Sequence, residues 1–355
     1  MDTEPLPTEG RAREAIRGGR LGSAFIGATA AALFALIGVS ILGRYDRAPA
    51  LWLTVALFVL PYLYGLLIAW VFALWCVLPD RRSIPLLLMA ALLWMAGLWG
   101  PAMAIGTETV AGTPVRVMSW NVRRLWGGPE DGDDPLACVV DAVQQAGPDV
   151  LVLLEVSREN MTALEGALGM RCVHGTYTAA ASGDRRGGLA TCARAGASLI
   201  GGRSLRFVDD EDWHYVASEL AVADRVFNVL AVHLTPYRLG ASEVERAVET
   251  AAGQANQSAA LLERVERFRD PTVVAGDFNS TRDFSLHAAL RSHLSDTWES
   301  GALGLGATKL AMDWLPLRID YIYASSQFAV VDTEVLQVGC SDHRPVVSSL
   351  VLRAP

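Results

Sequence analysis

Three long apolar runs in the first third of the chain, residues 21 to 43, about 51 to 78, and 84 to 105, set the strongest constraint on what it can fold into. Each is nearly free of charge and long enough to cross about 30 Å of hydrocarbon as a helix. Backbone in lipid must satisfy its own hydrogen bonds, so these runs predict three transmembrane helices. Arg44, Asp46 and Arg47 divide the first from the second, and Pro79, Asp80, Arg81 and Arg82 divide the second from the third. Arg11, Arg13, Arg17 and Arg20 precede the first run as they would in a signal peptide. Its apolar core is too long for one, and two further runs follow, so we expect a retained anchor. Six Arg lie in the N-terminal tail and the second loop, against three in the first loop and just after the third run. That bias predicts a cytoplasmic N-terminus and an extracytoplasmic remainder. The expected organisation is a basic cytoplasmic tail at 1–20, a three-helix anchor at 21–106, a linker at 107–114 and a folded domain at 115–355, in a multi-pass protein of the cell membrane.

The outer part, 107 to 355, is long enough for one sizeable core. It carries 22 basic and 32 acidic residues, which gives no general pull toward nucleic acid, although a local basic groove can coexist with that total. Cys138, Cys172, Cys192 and Cys340 lack the spacing of a zinc site. An extracytoplasmic Cys172 to Cys192 bridge and buried free thiols both fit the sequence.

Hydrophobic periodicity places strands at 115–122, 149–156, 172–177, 187–194, 215–222, 225–234, 272–275, 318–324, 328–337 and 346–352. Helices are expected at 135–146, after 156, at 241–268 and near 284–290. Helices alternate with strands early and strands cluster late, which predicts two packed sheets covered by helices.

The polar residues that carry chemistry stand at strand ends. In PTVVAGDFNSTR an apolar run leads into Asp277 and Asn279, a carboxylate and a carboxamide suited to an attacking water and a phosphoryl oxygen, or simply to a turn. Asn121 ends the first strand and can ligate a hard cation, orient a carboxylate or serve the turn. Glu155 ends an otherwise apolar strand, so it either meets a cation such as Mg²⁺ or Mn²⁺ or emerges into solvent. His233 can donate a proton to a leaving oxygen or sit satisfied at the rim, and Asp320 in RIDYIYA is placed to orient a histidine. Asp342 and His343 in SDHRP offer a metal ligand beside a phosphate donor, in a segment that also has turn composition.

The six segments SWNV (119–122), LLEV (153–156), HLTP (233–236), GDFN (276–279), RIDYI (318–322) and SDHRP (341–345), in this order, resemble the endonuclease/exonuclease/phosphatase superfamily, with its deoxyribonuclease I-like four-layered α/β sandwich, over residues 114 to 353. The resemblance implies Glu155 as the principal Mg²⁺ ligand, Asn121 as a supporting one and Asp342 near the metal. It implies Asp277 on the attacking water, Asn279 on the phosphate, His343 on the scissile phosphate with Asp320 orienting it, and His233 as a second active-site histidine. Arg123 stands where abasic-site endonucleases of the superfamily carry Asp, which argues against a second metal position; it resembles deoxyribonuclease I there and can touch a substrate phosphate. Arg185 and Arg186 lie where the family often places a substrate-contacting loop. Apolar spans ahead of such a domain are similar to a membrane-anchored branch tied to teicoplanin-type glycopeptide resistance and lipid-carrier phosphate metabolism. The expected activity is Mg²⁺-dependent hydrolysis of a phosphate or phosphodiester on a lipid-linked or envelope substrate, with an extracytoplasmic nuclease as the alternative and a non-catalytic membrane scaffold as the remaining reading.

Overall fold

The computed structural model describes residues 9–46, 50–77, 85, 88–89, 92, 110–125, 134–176, 187–208, 214–237 and 244–354. The expected third span at 84–105 lies outside these apart from isolated positions, and Arg185 and Arg186 lie outside them altogether. The chain divides into two compact units, one built on apolar helices and one on mixed sheets.

The first unit holds most of α1 (Glu9–Tyr45), which begins inside the basic tail and runs on through the first apolar run, and the larger part of α2 (Leu51–Val77), which carries Pro61 in its interior. Among the described residues two stretches are long and apolar enough to cross a membrane, Gly22–Tyr45 and Leu51–Leu74. Leu33 packs with Leu60, Tyr64, Leu67 and Val71, and the Trp70 indole donates to Thr29 Oγ1 at 3.2 Å. Most of the remaining apolar surface is uncovered: 11% and 33% of the most apolar windows are buried.

The second unit runs β1 (Gly112–Asn121), α3 (Pro135–Ala146), β2 (Val150–Val156), α4 (Arg158–Leu168), β3 (Arg171–Thr176), β4 (Gly188–Ala193), β5 (Ala197–Arg206), β6 (His214–Val222), β7 (Arg225–His233), α5 (Val244–Arg267), β8 (Thr272–Asp277), α6 (Ser285–Leu290), β9 (Ser295–Asp296), α7 (Thr297–Gly301), β10 (Lys309–Ala311), β11 (Leu315–Leu317), β12 (Asp320–Ala324), β13 (Phe328–Val335) and β14 (Val346–Arg353). One sheet has the order β13-β14-β1-β2-β4-β3, the other β5-β6-β7-β8-β12-β9, and β10 with β11 forms a separate hairpin. The parallel neighbours, β1 with β2 and β7 with β8, are the pairs whose connections contain α3 and α5, because a parallel return needs a long crossover.

Alternation along each strand builds the layers. Val150, Val152 and Leu154 of β2 meet Val229, Ala231, Val273 and Ala275 of the opposite sheet, while Leu151 and Leu153 pack with Val139, Val143, Met161 and Leu164 of α3 and α4. On the far side Leu230, Val232, Val274, Tyr321 and Tyr323 pack with Leu261, Val265, Leu286 and Leu290 of α5 and α6. The result is the expected sandwich of helix, sheet, sheet and helix. Each wholly buried Leu or Val here contributes about 1.5–3 kcal/mol.

Strand β5 was absent from the sequence reading. It is an edge strand, largely exposed, interrupted by Gly201 and Gly202, and it shows no apolar alternation. The β10–β11 hairpin was missed as well, since Met312 and Asp313 take the left-handed conformation (φ 51° and 63°) where Asn-Gly is the usual signal. Cys172 and Cys192 stand opposite each other across β3 and β4 and are bridged. A second disulfide joins Cys138 of α3 to Cys340, 202 residues away and just ahead of β14. Only the tertiary fold brings those two together.

Candidate active site

The ends of β1, β2, β7 and β8 and the start of β12 converge, and the loop before β14 closes over them. In register, His233 of β7 is the neighbour of Asp277 of β8, and Asp320 of β12 faces Asp277 from the other side. Gly276, one residue earlier, has φ +151°, and a Cβ there would lie 1.8 Å from the Val232 carbonyl oxygen. Only glycine lets β8 run this close to β7 and deliver Asp277 to the site.

Three site residues hold backbone conformations unusual for side-chain-bearing residues. Arg123, Glu155 and Asn279 have φ of 44°, 54° and 49°. Glu155 sits where the β2–β4 register shifts, and a Cβ on Gly187 would come within 2.6 Å of its Cα. Such conformations cost about 1–3 kcal/mol each and persist where surrounding contacts enforce them.

Asn121 links the two sheets. Its Nδ2 donates to Glu155 Oε1 and to Asp277 Oδ2, both at 3.1 Å, and its Oδ1 accepts from the Arg123 amide at 3.0 Å. Asp277 Oδ1 accepts from the Asn279 amide at 2.8 Å, and the Asn279 side chain donates to the Leu234 carbonyl at 2.8 Å. His233 Nε2 and His343 Nε2 lie 3.6 Å and 3.8 Å from Asp277 Oδ2. The His343 Nδ1 to Asp320 Oδ2 distance is 2.9 Å, so the imidazole donates there from Nδ1.

Burial raises the Asp277 pKa above the ordinary carboxylate value, and the neighbouring Asp320 raises it further; His343, His233 and the Asn279 amide pull it back. Burial alone would lower the His343 pKa, but Asp320 and Asp277 outweigh it and push it up to about 9. Lys309 opposes that second proton, because its ammonium lies 2.8 Å from His343 Nε2 and can only donate.

Asp277, Asp320 and His343 each present a ligand atom within 4.8 Å of the others, and Asp320 Oδ1 is buried without a hydrogen-bond partner. Crowded buried carboxylates with an orphaned oxygen call for a cation, and an oxygen-rich donor set suits a hard divalent one. Glu155 joins this cluster through Asn121. Asp342 is held by Lys309 at 3.3 Å and by Arg123 at 3.9 Å. Burial would raise its pKa, yet His343, Lys309 and Arg123 bring it below the ordinary value.

Of the residues the sequence singled out, Asn121, Glu155, His233, Asp277, Asn279, Asp320 and His343 come together, with Arg123 and Asp342 paired at the rim. Several others were missed. Gln257 accepts from the Thr235 amide at 2.9 Å and donates to its hydroxyl at 2.8 Å, and Gln254 donates to the carbonyls of Thr235 and Phe278. Both are fully buried and fix the loops behind His233 and Asp277; buried Gln on the apolar face of a helix was the signal available. Ser341 donates to the Asn121 carbonyl at 2.8 Å and Trp120 to the His343 carbonyl at 2.9 Å, tying the SDHRP loop to β1.

Solved structures share this fold. The human Nocturnin catalytic domain with bound sulfate is 20% identical, with 67% of this chain and 93% of that one covered at a TM-score of 0.53. A mannosyl-6-phosphatase of Bacteroides thetaiotaomicron is 18% identical over 67% of this chain and 99% of its own (TM-score 0.51). TDP2 of D. rerio complexed with single-strand DNA product is 16% identical over 67% and 98% (TM-score 0.53). At such identities these structures show the fold alone. No curated protein matches the chain in sequence. Residues 118–343, well over half the chain, match the model of the endonuclease/exonuclease/phosphatase family. The chain therefore belongs to that family, whose members are metal-dependent hydrolases of phosphoester bonds.

Proposed function

We propose that the chain is a membrane-anchored phosphoesterase that hydrolyses a phosphate or phosphodiester bond on a lipid-linked or envelope substrate outside the cytoplasmic membrane. The observation that carries this reading is the pair of uncovered apolar helices, Gly22–Tyr45 and Leu51–Leu74, on the same chain as the site. A tether raises the local concentration of membrane substrates far above that of dilute soluble ones. The hairpin beside the site supports a lipid partner, since its tip exposes Leu310 (40%), Met312 (68%) and Trp314 (68%). The Cys138–Cys340 and Cys172–Cys192 disulfides support an oxidising compartment.

Glu155, with Asn121 in support, would hold Mg²⁺ or Mn²⁺, and the bound ion would neutralise charge developing on the phosphoryl oxygens. Asp277, its pKa raised by burial, takes the proton of the attacking water. Asn279 has one amide hydrogen on Leu234 and gives the other to a phosphoryl oxygen. Asp320 accepts from His343 Nδ1 and, with Asp277, favours the imidazolium, which directs its Nε2–H at the scissile phosphate. His233 balances Asp277 and delivers a proton to the leaving oxygen. Arg123 contacts the substrate beside the phosphate, and the family resemblance alone assigns Arg185 and Arg186 to the substrate as well.

The test is a substrate panel of polyprenyl phosphate, polyprenyl pyrophosphate, plasmid DNA and RNA, run on the full chain with Mg²⁺. Lipid phosphate release abolished by His343→Ala, and by Glu155→Gln at the Mg²⁺ concentration that saturates the parent, is expected. DNA or RNA cleavage without lipid turnover would sink the lipid reading.

A further inference from the structure

We propose that Lys309 is a substrate-reading cation of this site, selecting phosphates with a terminal dianion, a monoester or the end of a pyrophosphate, over diesters. The inference rests on the phosphoesterase reading above and specifies which phosphate the site takes. Lys309 is the only lysine in the chain; every other residue among the 30 Lys and Arg is arginine. The two are not interchangeable, because guanidinium is a planar fork and ammonium a compact point charge with three donors. The single ammonium sits 2.8 Å from His343 Nε2 and 3.3 Å from Asp342 Oδ2.

Its position is fixed from two sides. Lys309 forms an isolated antiparallel bridge with His343, and the Arg344 amide donates to the Thr308 carbonyl at 2.7 Å. Thr308 Oγ1 accepts from the amides of Ile319 and Asp320, each at 3.2 Å. The base of the hairpin is thus locked to the His343 loop and to the start of β12. The Lys309 side chain is 31% exposed, so an entering group can reach it.

His343 Nδ1 is taken by Asp320, which leaves Nε2 as the ring atom that meets a phosphate. Lys309 has three hydrogens and can keep one on Asp342 while giving another to a phosphoryl oxygen brought to Nε2. Arg123 leans on the same carboxylate, so at this edge of the site two cations share one counter-charge. A monoester presents three terminal oxygens sharing two charges, and a diester presents two sharing one. In either hydrolysis water adds to phosphorus, the bond to the leaving oxygen breaks, and the leaving group departs with a proton; no further reagent is needed. One charge-assisted hydrogen bond to the extra oxygen is worth about 10- to 100-fold in kcat/KM.

The experiment uses the full chain in detergent micelles with Mg²⁺, p-nitrophenyl phosphate as monoester and bis(p-nitrophenyl) phosphate as diester. Lys309→Gln is expected to lower kcat/KM about 10- to 100-fold on the monoester and less than about 3-fold on the diester. Lys309→Arg should restore folding contacts without restoring the preference. Equal losses on both esters, or full recovery by Lys309→Arg, would overturn the proposal. As the only lysine, Lys309 can also be followed by amine acylation and mass spectrometry on unaltered protein. Inorganic phosphate should slow its acylation at concentrations that leave the N-terminal amine unaffected, and absence of protection would overturn the contact. A chain inactive on both esters and on every substrate of the lipid and nucleic-acid panel would refute the phosphoesterase reading, while the protection result would still decide whether Lys309 meets a phosphate.

Discussion

Replacing Cys138 and Cys340 together by serine should destabilise the sandwich more than replacing Cys172 and Cys192, and the difference can be worked from chain length. The first bridge closes a loop of 202 residues and the second one of 20. Loop-closure entropy gives roughly 5 kcal/mol for the long loop and roughly 3 for the short one, a gap of about 2 kcal/mol. Nesting changes little, because the short bridge trims only a small part of the long loop. Both crosslinks occupy buried or half-buried positions against the α3–α4 side of the first sheet, so loss of packing is similar for the two pairs. Pulse proteolysis of full-length protein across a urea series, in fixed detergent, reads the sandwich transition for each double variant. The long-loop variant should lose the larger share of stability yet retain activity in the absence of urea, since Ser341 and Trp120 still tie the SDHRP loop to β1. Equal losses, or a larger loss for the Cys172–Cys192 pair, would refute the entropic argument and point to native-state packing instead.

Asp320→Asn keeps an acceptor for His343 Nδ1 but removes the larger of the two carboxylate charges that raise its pKa, leaving Asp277. Because the folded value of about 9 exceeds the ordinary 6.5, this pair stabilises metal-free protein fully below pH 6.5 and loses the effect as pH rises through 9. Proteolytic stability in EDTA should therefore fall across that window in the parent and fall less in the variant, where Asp277 alone still favours the protonated ring; parallel curves would contradict the assignment. Glu155→Gln should raise the Mg²⁺ concentration for half-maximal activity by at least the roughly 10- to 100-fold typical of outer-sphere partners, read by metal titration of phosphate release. Gly276→Ala must place a methyl 1.8 Å from the Val232 carbonyl oxygen, and a loss above about 4 kcal/mol, or no folded protein at all, is expected by the same proteolysis assay.

The layered fold was legible because β2 and β8 are short apolar runs closed by polar strand ends, and α3 and α5 carry helical spacing between them. The same logic exposed Asn121, Glu155, His233 and Asp277, since a polar residue ending an apolar strand needs a reason to be there. Contacts between distant segments were beyond it. Gln257 reaching Thr235, Cys138 reaching Cys340 and Lys309 reaching His343 depend on how layers and loops stack, which local periodicity does not encode. Edge strand β5 and the β10–β11 hairpin escaped for a different reason: neither buries a clean face, so neither leaves an alternating pattern.

Asn121 belongs to one sheet and Asp277 to the other, yet a single carboxamide nitrogen joins the carboxylates of both. A chain with only one sheet assembled owns half a site and can do no chemistry with it. Turnover is in this sense a proximity sensor for sheet docking, silent until the two halves close to within hydrogen-bond reach. Loss of activity in urea should then coincide with separation of the sheets rather than precede it, so the enzyme has no loosened but working state in which to attack phosphates away from its proper place.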